Sequence, residues 1–351
     1  MGAVKTVNRD TLPERICVNS RIARRILGRC TAVLKWIWNA LPKSRRAHPT
    51  PQCLGRGLHR MIRLQAERNQ YVTTFFLRNR AESEVMVRLL QKKVSDSTLN
   101  LTVVACSKGA EVYSLARAIR LARPDLRLNI HAVDISPEIV AFAAKGVYSF
   151  THPDSRQAYI RDDDSPNGEV ARNTSRDQNA WMFEYMSSSE IDEMFDVQAD
   201  QASIKPWLRQ GITWLCGDAG DPSLAARIGP QDVVVANRFL CHMRPAAARV
   251  CLRNIGSLIT PGGYLFVSGV DLDVRTQVAR ELGWLPVQDL LREVHEGDPS
   301  ILAGWPCEYW GVEPFDERRS DCQIRYASIF QIGEDTPSGI LQLESAGISS
   351  R

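Results

Sequence analysis

The chain has 351 residues, 44% hydrophobic and 24% charged, a globular composition that allows a large core and excludes collagen-like or disordered chains. No apolar run reaches the roughly 18 residues needed to span a bilayer, no signal peptide is read, and the nine cysteines form neither a CxxC pair nor a zinc quartet with histidine. The expectation is a cytoplasmic protein with reduced thiols and no metal, whose net charge of +4 is unevenly spread: residues 1–60 hold 13 Lys+Arg against Asp10 and Glu14, a net +11, so the rest carries −7.

Residues 1–57 read as a basic arm. Ile22–Arg29 and Ala32–Leu41 alternate basic and apolar residues at helical spacing, ahead of Pro42 and Lys43-Ser-Arg-Arg. That pattern suits peripheral contact with a membrane surface, a solvated tail being the plain alternative. Residues 58–97 follow as a helical N-terminal domain, where Met61, Leu64, Phe75, Phe76, Leu77, Val85, Val87, Leu89 and Leu90 suggest helices broken around Tyr71-Val-Thr-Thr.

Residues 98–332 then change pattern. Leu101–Ala105 reads as a strand, Glu111–Ala122 as a helix closed before Pro124, Leu128–Val133 as a strand, and Pro137–Lys145 as a helix capped by Ser136. Strands alternating with helices indicate a parallel, doubly wound α/β sheet. The polar run Thr151–Asn179 lies in an insertion assigned to 151–184, and Ser187–Phe195 starts as a helix capped by Ser188 or Ser189. Ile212–Cys216 and Asp232–Ala236 read as strands, Ala246–Ile259 as a helix, Pro261-Gly-Gly as a turn and Tyr264–Ser268 as a strand. A second insertion, 274–320, holds Trp284, Trp305, Tyr309, Trp310 and Phe315, with Trp305–Phe315 either a substrate-facing lid or core. Cys322–Gln331 is expected as the final strand and 333–351 as a disordered tail.

The chemistry concentrates at the strand ends. Ala105-Cys-Ser-Lys-Gly-Ala joins a strand to a helix N-terminus through small residues, which directs N–H groups at a ligand, and Gly109 is the residue able to approach it closely. The dinucleotide fingerprint GxGxxG is absent. Asp134 ends the second strand, where a carboxylate accepts ribose hydroxyls or caps the helix after it. Glu111 stands in the first helical turn, favoured there by the dipole and placed to meet an amino group. With the Pro-Gly-Gly lead into a late strand, the three elements in this order read as an S-adenosylmethionine (SAM) site.

At these residues the sequence resembles the CheR-type chemotaxis-receptor glutamate O-methyltransferases. The matching features are Thr74-Phe-Phe-Leu-Arg78-Asn79, Ala105 to Ser114, Ala132-Val-Asp134-Ile-Ser, Ala143 to Tyr148, Ser187 to Phe195 and Asp232 to Met243. The resemblance implies a Rossmann-like SAM-dependent methyltransferase sheet, an N-terminal helical domain and a small antiparallel subdomain between Phe195 and Leu215. By the same comparison Thr74 and Arg78 lie over the cofactor, Glu111 meets its amino-acid end and Asp134 its ribose. Asp218 and Ala219 flank the adenine, while Asn237 and Arg238 sit beside the methyl-transfer position. Lys108 departs from the family turn, and His242 stands where the family has a tyrosine, either as a base or as a structural histidine. Arg78 and His242 are thus the candidate catalytic residues. The expected reaction is methyl transfer to a carboxylate of a protein glutamate or small acid, the alternative being a catalytically idle SAM-binding module held by its basic arm. No nucleic-acid partner is expected: the chain lacks an N/D-P-P-Y/W tetrad, for which Asn237-Arg-Phe-Leu is a poor substitute.

Overall fold

The computed structural model describes residues 21–46, 48–65, 73–150, 182–298, 304–308 and 310–333. They divide into two compact units, one of Met1–Glu67 with Ser300–Tyr309 and one of Arg68–Pro299 with Trp310–Arg351. In the first unit, α1 (Arg21–Ala40) and α2 (Pro49–Gln65) bury Trp38, Leu58 and Ile62 between them. Trp305 meets Trp38 edge-on at 5.3 Å, and Gly55 permits this, because a Cβ there would stand 2.4 Å from the Trp305 ring. Helix α2 runs straight across the boundary expected at 57/58, since Leu58 and Ile62 lie a turn apart on its buried face. Val33, Trp36 and Ile37 share an exposed face of α1.

The second unit opens with α3 (Arg80–Leu90), capped by the Asn79 side chain, which accepts from the Glu82 N–H. The sheet begins at β1 (Thr98–Val104) and continues through α4 (Ala110–Ala122), β2 (Arg127–Asp134) and α5 (Pro137–Lys145). Ser136 caps α5 as the sequence suggests, accepting from the Ile139 N–H. After β3 (Val147–Ser149) come α6 (Ser188–Met194), β4 (Phe195–Gln198), β5 (Gln201–Ile204), α7 (Pro206–Arg209) and β6 (Ile212–Cys216). The cap of α6 is Ser187, one residue earlier than expected, because Glu190 at the third helical position closes a capping box with it. Then follow α8 (Leu224–Ile228), β7 (Gln231–Val235), α9 (Pro245–Ser257), β8 (Ile259–Phe266), α10 (Leu272–Glu281), β9 (Leu285–Pro286), α11 (Leu291–Glu296), α12 (Cys322–Tyr326) and β10 (Ile329–Gln331).

The large sheet has the order β6-β2-β1-β7-β8-β10-β9, parallel from β6 to β8, with β10 antiparallel to both neighbours. A small antiparallel sheet, β3-β5-β4, stands beside it; the subdomain anticipated between Phe195 and Leu215 is present only in part, since its third strand is β3 and Ile212–Cys216 pairs in the large sheet. The Rossmann-like class is therefore as expected. In the large sheet the chain steps outward from β1 through β2 to β6, then returns to β7 on the other side of β1. The switch point lies between β1 and β7, and the crevice at the carboxyl ends of such strands is where ligands bind.

Four sequence expectations are corrected. The stretch 274–320 is not one insertion: α10 and β9 complete the sheet domain, and Trp284 is buried against Phe330. Its aromatics form no single lid, because Trp305 packs on Trp38, Phe315 on Tyr326 and Trp310 on His242. Cys322–Tyr326 is helical and only Ile329–Gln331 pairs as a strand, for Arg325 turns away to ion-pair with Glu313 and Asp273. Pro261-Gly-Gly lies inside β8 at an irregularity in its pairing with β7 rather than in a turn. A Cβ on Gly263 would lie 2.7 Å from the Asp232 carbonyl oxygen, so the strands approach closely only with glycine there.

Of the first insertion, residues 151–181 lie outside the described residues, but Phe183 is core, stacked on Phe76 at 5.4 Å. The expected tail, 333–351, is described only at Gly333.

Candidate functional site

The turn after β1 is conformationally costly. Ala105 and Ser107 hold φ of +53° and +50°, and Gly109 +86°, so three alternate residues adopt the left-handed region. Non-glycine residues persist there only where their surroundings enforce it. The enforcing contact is Asp134, whose Oδ2 accepts the Ser107 N–H at 2.8 Å while Oδ1 accepts the Ser136 N–H at 3.2 Å. Burial raises the Asp134 carboxyl above its usual range against these N–H bonds. Gly109 answers packing as well as ligand approach, since its Cβ would lie 2.9 Å from Trp214 and 3.1 Å from Ala143. Lys108 is buried, and its carbonyl accepts from the Tyr148 hydroxyl at 2.8 Å.

Across the switch point, Asn237 follows β7. Its Oδ1 accepts from the N–H and hydroxyl of Ser268 at 2.9 and 2.8 Å, which fixes the amide and aims its Nδ2 toward the turn after β1. Nδ2 donates to Glu82 Oε1 at 2.8 Å and to Glu111 Oε1 at 2.9 Å. Burial, then the neighbouring Glu111 charge, raise the Glu82 carboxyl to about 7, while Asn237 and the two arginines oppose the shift. Arg238 adopts φ +65°, backed by Gly269, whose Cβ would meet the Arg238 Cα at 2.6 Å.

Arg78 and Arg238 both pair with the buried Asp298, Arg78 Nε at 3.3 Å from Oδ2 and Arg238 through its guanidinium Nη2. Burial pulls both guanidinium groups down, Arg238 well down with Arg78 adding to the effect, and Glu111 and Glu82 push back on each. Arg78, Glu82, Glu111, Asn237, Arg238 and Asp298 are thus one polar network at the carboxyl ends of β1 and β7, with Glu82, Asn237 and Asp298 buried and the other three partly so.

The remaining predicted residues lie around it. Thr74 is buried on the segment leading to Arg78. Asp218 is exposed beyond β6, folded into its own turn through the Gly220 N–H at 2.7 Å, and Ala219 packs on the core beside it. The Gly217 N–H bonds the Asp134 carbonyl at 2.9 Å, which sets the Asp218 turn beside Asp134. His242 lies in a short 3₁₀ turn, edge-on to Trp310 at 6.1 Å.

Sequence reading missed Glu82, Ser268 and Asp298. Glu82 looks like an ordinary acidic residue of a helix first turn. Asp298 belongs to no motif.

The donor set fits SAM. Asp134 takes backbone N–H bonds from Ser107, Ser136 and Ile135 and keeps acceptor capacity for a ribose hydroxyl, and Glu111 holds Asn237 through one oxygen with the other to offer an ammonium group. Among the described residues no cluster of His, Cys, Asp and Glu could hold a metal ion.

Comparison with known proteins agrees. Residues 72–197 match the family described as CheR methyltransferase, SAM binding domain. The chain is similar to the "Probable biofilm formation methyltransferase WspC" of Pseudomonas putida, 26% identical over 242 residues that cover 67% of this chain and 49% of that one. Its namesake in Pseudomonas aeruginosa is 23% identical over 229 residues, 64% of this chain and 47% of that one. The chain therefore spans about half the length of these relatives. The N-methyltransferase NodS of Bradyrhizobium japonicum aligns over 60% of this chain and 76% of its own at 15% identity and a TM-score of 0.32, too distant to bear on the site. The strand order is that of a Rossmann-like sheet, and residues 72–197 of the chain match the SAM-binding domain of the CheR methyltransferases, at the distance of a divergent relative.

Proposed function

We propose that the chain transfers the methyl group of SAM to a carboxylate oxygen, on a protein glutamate or a small acid. One observation carries this reading: two largely buried guanidinium groups, Arg78 and Arg238, converge on a single carboxylate, that of Asp298, beside the strand ends. Paired guanidinium groups can hold and orient an acceptor carboxylate by charge-assisted hydrogen bonds. SAM supplies an activated methyl carbon, with Thr74, Gly109, Glu111, Asp134, Asp218, Ala219 and Asn237 as the residues that hold it. A carboxylate is already ionised at neutral pH, so the site needs positioning rather than a base. With such an acceptor His242, packed against Trp310, has no proton to remove.

Label from methyl-labelled SAM is expected to enter a host lysate as a base-labile product, which marks a carboxyl ester. Arg78→Ala should lower that transfer about 100-fold, the scale of one lost electrostatic contact to the reacting groups, with affinity for S-adenosylhomocysteine changed much less. Equal losses in both would make Arg78 a cofactor contact only. Binding without any transfer would favour the idle module.

For residues 1–57 we propose contact with an anionic membrane surface. Val33, Trp36 and Ile37 share an exposed face of α1 within a segment carrying a large positive charge, the arrangement of an interfacial helix. Co-sedimentation with phosphatidylserine vesicles should fall on Trp36→Ser; unchanged binding would remove the proposal.

A further inference from the structure

We propose that Glu82 is a second carboxylate of the subsite for the α-ammonium group of SAM, a positioning residue that works beside Glu111. The inference rests on the SAM reading above and adds a residue to it.

The geometry is specific. A single nitrogen, Asn237 Nδ2, stands 2.8 Å from Glu82 Oε1 and 2.9 Å from Glu111 Oε1, so two acids on the first turns of α3 and α4 converge on one point at the switch crevice. Ser268 fixes that nitrogen through the amide oxygen. A neutral amide gives each acid one hydrogen bond without neutralising either, and the groups facing Glu82 from the surrounding elements are Glu111, Asn237, Arg78 and Arg238. The arginines already share Asp298. They act on both acids through space while ion-pairing with Asp298, and an ammonium group seated between the acids would bring three N–H donors with its charge. Capping of α3 does not require Glu82, because Asn79 supplies it.

A proton balance follows. With its carboxyl raised to about 7, Glu82 is partly protonated at neutral pH. An ammonium beside it favours the ionised form, so ligand binding expels a proton and affinity weakens as pH falls below about 7, by up to tenfold per pH unit.

The test is isothermal titration of the full chain with S-adenosylhomocysteine and with 5′-methylthioadenosine, which keeps the nucleoside and thioether but lacks the ammonium. Each titration is run in two buffers of different ionisation enthalpy. For S-adenosylhomocysteine the wild type should release roughly half a proton at pH 7 and lose affinity toward pH 5; 5′-methylthioadenosine should do neither. Glu82→Gln keeps an acceptor for Asn237 and removes the charge. It should abolish the proton release and weaken S-adenosylhomocysteine about tenfold, while unchanged 5′-methylthioadenosine binding reports an intact fold. Unchanged S-adenosylhomocysteine binding, or equal weakening of both ligands, overturns the proposal. Failure of the wild type to bind either ligand overturns the SAM reading, and this inference with it.

Discussion

Asn237→Leu is expected to lower the free energy of unfolding by about 3–4 kcal/mol and to abolish measurable binding of S-adenosylhomocysteine. Leucine has the branching of asparagine and is the larger side chain, so the loss would not come from a cavity. It comes from stranded partners: Glu82, Glu111 and the Ser268 N–H all give up a bond to a buried side chain, and each unsatisfied buried polar group costs about 1–3 kcal/mol. Urea denaturation measures the first effect and titration the second. A loss under about 1 kcal/mol would mean that water replaces the amide and that the network is not buried in solution. Asn237→Asp should be no milder, since it places a third carboxylate beside two others.

Acid should destabilise the protein through His295. This side chain is buried between Phe315 and Tyr326 with Nε2 2.8 Å from the Glu313 carbonyl, and burial pushes its pKa down from 6.5 to about 4. The unfolded chain therefore takes up the proton first as pH falls. The contribution is full above about pH 6.5 and is lost progressively toward pH 4, a difference of about 3 kcal/mol at 1.36 kcal/mol per pKa unit. Glu82 acts in the opposite sense, because a carboxyl raised in the folded state stabilises it as pH falls. Comparison with His295→Gln separates the two. The variant's stability should vary less over that range, and parallel curves would exclude His295 as the source.

Local signals made the parallel core legible. The Ser136 cap, the apolar run before Asn237 and the strand-to-helix turn before Gly109 each depend on residues close in sequence. The same holds for Glu111 in the helical turn after β1, for Asp134 at the end of β2, and for Asn237 and Arg238 just after β7. Of the two edges β6 was legible and β9 was not, because β9 is two residues long and its place depends on β10, over forty positions away. Glu82 and Asp298 escaped for a related reason: a solvated acid and a buried acid between two arginines are the same letter, and only the tertiary fold distinguishes them.

The glycine after α11 carries one last consequence. A Cβ on Gly297 would stand 2.3 Å from Asn79 Oδ1, and the Asn79 amide donates to the Val294 carbonyl at 3.0 Å, so the end of α11 is docked on the start of α3. His295 lies just before that docking point and Asp298 just after it, while Arg78 and Glu82 flank the other side. The short helix therefore ties an aromatic niche, through His295, to the arginine pair, through Asp298, so that one six-residue element anchors both to the start of α3.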